Sequence, residues 1–120
     1  MGNEVPGPVV ALVDDLMFVS RIREAARGKG TAVRTVRTTA DLLAACHAGA
    51  RTVIVDLDTP RLPVMEALAA VAADPALSSV HVIGFYSHVE TERAREACAA
   101  GCRTVLPRSA FVRQLDDLLG

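Results

Sequence analysis

Apolar and polar positions along this chain come in blocks. Val9-Val10-Ala11-Leu12-Val13 is unbroken and ends in Asp14-Asp15, and Thr52-Val53-Ile54-Val55 ends in Asp56-Leu57-Asp58-Thr59-Pro60. Short β-branched runs without a polar break predict strands buried on both faces, as in a parallel sheet covered by helices. Val80-His81-Val82-Ile83-Gly84-Phe85 and the shorter Thr104-Val105-Leu106 predict two more strands, and the alternating residues 31–36 a fifth. Between them apolar residues recur at helical spacing. Phe18, Val19, Ile22, Ala25 and Ala26 predict a helix over residues 17–27, stopped by Gly28 and Gly30.

The remaining helices are marked by their ends. Thr38 or Thr39 caps a helix that runs to about residue 48 before Gly49. Pro63 suits the first turn of a helix over residues 64–73, closed by Asp74-Pro75. Ser87-His88-Val89-Glu90 has the form of a capping box opening a helix to residue 100. A last helix covers residues 111–119. Strands alternating with helices predict an α/β fold, a doubly wound five-stranded parallel sheet with five helices. Residues 1–7 read as a loose leader and residues 8–120 as one domain.

Composition narrows the function. A net charge of -1 over 120 residues gives no electrostatic support for direct nucleic-acid binding. No apolar run reaches membrane-span length and no signal pattern opens the chain, so the expectation is a soluble, cytoplasmic protein without membrane contact. Cys46, Cys98 and Cys102 are an odd number in helix-like segments. They read as core residues rather than a disulfide framework, with a metal site of Cys98, Cys102 and His88 as the alternative.

The chemistry gathers at the polar strand ends. In a doubly wound sheet, ligands bind at the carboxyl edge. Adjacent parallel strands would bring Asp14, Asp15, Asp56 and Asp58 together there. Converging carboxylates repel unless a cation sits among them, and hard oxygen donors suit Mg²⁺. The plain alternative is a set of solvated turn residues. If the acids repel, Asp56→Asn and Asp15→Asn should each raise thermal stability.

These features resemble the receiver domains of bacterial response regulators, over residues 8–119. The carriers are Val13-Asp14-Asp15 after the first strand, Ile22 seven residues on, Asp56 with Pro60 four later, and Ala100-Gly101-Cys102 before the last strand. The resemblance implies a flavodoxin-like fold and Asp56 as phosphoacceptor. It also implies Mg²⁺ held by Asp14, Asp15, Asp56 and the backbone carbonyl of Asp58. Upstream it implies a sensor kinase or phosphotransfer protein, and downstream an output protein or a second copy through the last two helices.

Several positions depart from that pattern. Tyr86, with Ser87 next, stands where the family has a small hydroxyl, and Arg108 stands for its lysine. Ser109 replaces the following proline, and Val105 replaces the aromatic of the switch. Arginine keeps the charge as a planar fork rather than a compact ammonium. Tyr86 either caps the core or lies across the cleft and shields Asp56. Three functions remain in view: a phosphoacceptor with an altered switch, a non-phosphorylated pseudo-receiver that binds proteins, and a small haloacid-dehalogenase-like phosphatase using Arg108 and Asp116-Asp117. The first is the expected reading, a signalling module and not an enzyme.

Overall fold

The computed structural model describes residues 9–87 and 91–119; the leader, and His88 and Glu90 of the expected capping box, lie outside them. Elements alternate as β1 (Val9–Leu12), α1 (Leu16–Gly28), β2 (Val33–Thr35), α2 (Thr39–His47), β3 (Thr52–Asp56), α3 (Val64–Ala72), β4 (His81–Tyr86), α4 (Thr91–Ala99), β5 (Thr104–Pro107) and α5 (Arg108–Leu119). The strands pair in parallel in the order β2-β1-β3-β4-β5. This is the doubly wound sheet that the sequence pattern predicts. Between α3 and β4 lies a short 3₁₀ turn, Pro75–Leu77, where only a helix stop is predicted. Asp74 caps it by accepting the Ala76 N–H at 3.0 Å.

Alternation along the strands feeds two apolar layers. Val10, Leu12, Val53, Val55 and Val82 pack with Leu42, Ala45, Val64, Leu68 and Val71 of α2 and α3. Val9, Ala11, Ile54, Ile83 and Phe85 pack with Phe18, Val19 and Ile22 of α1 and with Phe111 and Leu115 of α5. Thr38, rather than Thr39, caps α2, its hydroxyl accepting the Asp41 N–H at 3.0 Å. Pro63 precedes α3 as its cap residue. The last helix starts at Arg108, three residues earlier than the apolar pattern predicts. Arg108 and Ser109 are polar and exposed, so they add nothing to the apolar periodicity that Ala110 and Phe111 begin.

Gly84 shows how tightly the centre is packed. A Cβ there would stand 2.9 Å from Cys102 Sγ and 3.0 Å from Leu57 Cδ1, both buried. Gly84→Ala is therefore expected to cost about 1–3 kcal/mol by overpacking. Urea denaturation of Gly84→Ala and of Gly84→Ala/Cys102→Ala measures this. The second change should recover part of the loss, and no recovery would assign the clash to Leu57.

Candidate functional site

Register decides which side chains meet at the sheet's carboxyl edge. Leu12 lies beside Val55, so Val13 and Asp14 follow level with Asp56 and Leu57. Asp56 pairs with Phe85 and Tyr86 with Pro107, which sets Ser87 and Arg108 one step beyond. These ends surround an open cleft of about 330 Å³ lined by Asp14, Asp15, Asp56, Asp58, Thr59, Arg61, Phe85, Ser87 and Arg108. Tyr86 is not among the lining residues. It packs instead against the α2–α3 layer, because alternation turns it away from Phe85. The shielding role considered for Tyr86 is therefore not met, and Ser87 is the residue at the end of β4 that brings a hydroxyl to the cleft.

Each acid is held differently. Asp14 takes Arg37 Nη1 on Oδ1 at 2.9 Å and Arg61 Nη1 on Oδ2 at 3.4 Å. The Arg37 hydrogen bond holds the Asp14 carboxyl below its usual range, aided by the charges of Arg37 and Arg61 and opposed by desolvation. Asp15 caps α1, with Oδ1 accepting the N–H groups of Met17 at 2.9 Å and Phe18 at 3.4 Å. Its Oδ2 accepts from Arg108 Nη2 at 2.9 Å. Asp58 Oδ2 accepts from the Ser87 hydroxyl at 2.8 Å and from the Ser87 N–H. Asp56 Oδ1 accepts the Asp58 N–H at 3.0 Å, its one hydrogen bond among the described residues.

Burial pushes the Asp56 carboxyl up, and the Asp58 N–H pulls it back. The charges of Asp58 and Asp15 add to the rise, while Arg108 opposes it. A raised folded pKa means that ionised Asp56 destabilises the fold. That cost is full above the folded pKa, fades as pH falls from there towards the reference value of 3.8, and is gone below it. Asp56→Asn should thus raise the melting temperature in metal-free buffer at neutral pH, with the gain shrinking towards the reference value. A lower melting temperature at neutral pH would point to a partner that stabilises the charged form. Asp15 departs from the sequence expectation. Its cap and its Arg108 pair are stabilising partners, so Asp15→Asn brings no such gain.

Arg108 is fixed from two sides. Besides the Asp15 pair, its guanidinium lies 4.1 Å from the centroid of Phe18, a cation–π contact. The donor chemistry of the cleft fits a hard divalent cation, since Asp14, Asp15, Asp56 and the Asp58 carbonyl offer oxygen only. The carboxylates of Asp14, Asp15 and Asp56 are seated on arginines and N–H groups rather than turned on one common point. Among the described residues no three His, Cys, Asp or Glu side chains form a group that could hold a metal ion. The alternative site with His88 and the Cys98 side chain lies outside the described residues. Cys46 is buried, which pushes its thiol up and suits a core role. Asp116 and Asp117, needed for the phosphatase reading, do not line the cleft; Asp116 lies with Arg21, Glu24 and Gly28 on another surface.

No protein-family model matches the sequence, and no curated protein resembles it significantly. Solved structures do. A response regulator from Hahella chejuensis superposes with a TM-score of 0.79 at 21% identity, over 93% of this chain and 91% of that one. The phosphorylated cyanobacterial phytochrome response regulator RcpA gives 0.75 at 19%, over 94% and 88%. The Mn²⁺-bound response regulator Rcp1 gives 0.76 at 12%, over 94% and 91%. The chain therefore has the fold of response-regulator receiver domains. Among the described residues no helix is long and apolar enough to cross a membrane.

Sequence reasoning singled out the four acids, Ser87 and Arg108, but missed Arg37 and Arg61. Arg37 had a signal. With β2 beside β1 and Ala11 level with Thr35, the residue two past β2 comes beside the end of β1. Arg61 had none, because its reach to Asp14 depends on the course of the β3–α3 loop.

Proposed function

We propose that this chain is a receiver-type signalling module that accepts a phosphoryl group on Asp56 through an altered switch. One observation carries the reading. Of the four cleft acids, only Asp56 has no side-chain partner among the described residues, while Arg108 and Ser87 stand around it. The likeness of fold to a phosphorylated receiver and to a Mn²⁺-bound one supports it.

The chemistry follows from the residues. The Asp58 N–H fixes Oδ1 and leaves Oδ2 to attack phosphorus. An O–P bond forms while the bond from phosphorus to the donor nitrogen or oxygen breaks, and the leaving group keeps that electron pair. Arg108 brings a fixed charge and a planar fork suited to phosphoryl oxygens. Mg²⁺ on Asp14, Asp15, Asp56 and the Asp58 carbonyl would supply further positive charge for those oxygens. Upstream partners would be a sensor kinase or phosphotransfer protein in the cytoplasm. Downstream would be an output protein or a second copy through α4 and α5. Leu16 and Met17, 81% and 71% exposed at the start of α1, are apolar surface that a partner could cover.

The second reading, a protein-binding pseudo-receiver, is favoured by the guanidinium groups already seated on Asp14 and Asp15. A small-molecule phosphodonor with Mg²⁺ separates the two. The native chain should take up label that Asp56→Asn does not, and Tyr86→Thr should label much as the native chain. No label on the native chain would favour the pseudo-receiver.

A further inference from the structure

Asp14 is bracketed by two arginines from different loops. Arg37 follows β2 and Arg61 lies between β3 and α3, and each donates to its own carboxylate oxygen. Both oxygens that Asp14 could offer a cation are thereby engaged. Charge points the same way. Four acids and the guanidinium groups of Arg37, Arg61 and Arg108 leave one net negative charge, which a divalent cation would overshoot.

We infer that Arg37 and Arg61 act as built-in counter-cations that compete with a divalent metal for Asp14 and thereby set the affinity of the cleft for it. This rests on the reading of the acids as cation ligands. The two arginines are cheap to displace, because their side chains are 61% and 76% exposed and can extend into water. Asp14 is not, with only 20% of its side chain exposed. Metal entry therefore releases the bracket rather than moving the acid. The consequence is a cleft that is charge-compensated without metal and takes up metal only against its own arginines. Release would also free the β2–α2 and β3–α3 loops from their shared anchor.

The test is metal affinity in the intact chain, read by amide shifts with Mg²⁺ and by paramagnetic broadening with Mn²⁺. The samples are the native protein, Arg37→Ala/Arg61→Ala and Arg34→Ala. Arg34 is exposed on β2 and has no acidic partner among the described residues, so it controls for loss of charge alone. The double variant should bind about tenfold tighter, as expected for removing charges in contact with a ligand oxygen, and Arg34→Ala should match the native chain. Equal affinity in the native chain and the double variant, with perturbation at Asp14, Asp15 and Asp56, would overturn the competition and leave the cation reading standing. Weaker binding in the double variant would overturn it too, making the arginines positioning residues. Absence of binding in all three would remove both the competition and the metal-ligand reading.

Discussion

Phe111→Ala is expected to lower the free energy of unfolding by about 3–5 kcal/mol. Phe111 is fully buried, and its ring stacks on Phe85 with centroids 4.6 Å apart and lies 6.1 Å from Phe18. These three rings fill the layer between the sheet, α1 and α5. The other buried residues of α5 are Ala110 and Leu115. Val112, Leu118 and Leu119 of the same helix pack on that layer only in part. Phe18 also carries the Arg108 guanidinium on its face, so the loss should reach the cleft. Urea denaturation of Phe111→Ala beside Val112→Ala checks this, because Val112 sits at the margin of the same layer. A loss for Phe111 no larger than that for Val112 would mean that the rings do not anchor α5.

Arg108→Ala should slow phosphoryl transfer to Asp56 about ten- to a hundredfold, at or below the low end of what one preorganised donor contributes to a developing anion. The low end applies because the Arg108 side chain is 45% exposed, where solvent screens its charge. Stability should fall by no more than about 1–2 kcal/mol, since an exposed ion pair is worth about 0–1 kcal/mol and the contact with Phe18 about 0.5–1 kcal/mol. Arg108→Lys should fall between the native and alanine rates. It keeps the charge but loses the fork and the flat contact with Phe18. Rates from phosphodonor labelling, with melting curves as the folding control, measure both variants. An unchanged rate in Arg108→Ala would remove Arg108 from the transfer step.

How much of this could be read from the residues depended on how local the signal was. Buried strands announce themselves as unbroken apolar runs, so β1, β3 and β4, with the acids that end β1 and β3, were legible. The cap of α1 was not, because Asp15 reads first as half of an acid pair. Tyr86 and Ser87 are neighbours in sequence, yet strand alternation sends one into the α2–α3 layer and the other to the cleft. The arginine bracket was the least legible feature. Its members lie 23 and 47 residues from Asp14, and only the folded sheet and loops bring them together.

The most direct measurement is the position of the phosphoryl group itself. The native chain is treated with a phosphodonor and Mg²⁺, reduced with borohydride to convert any aspartyl phosphate to homoserine, and mapped by peptide mass. A single conversion, at Asp56, is expected. A modification that resists borohydride and maps to Ser87 or Thr59, or a chain that carries none, would contradict it.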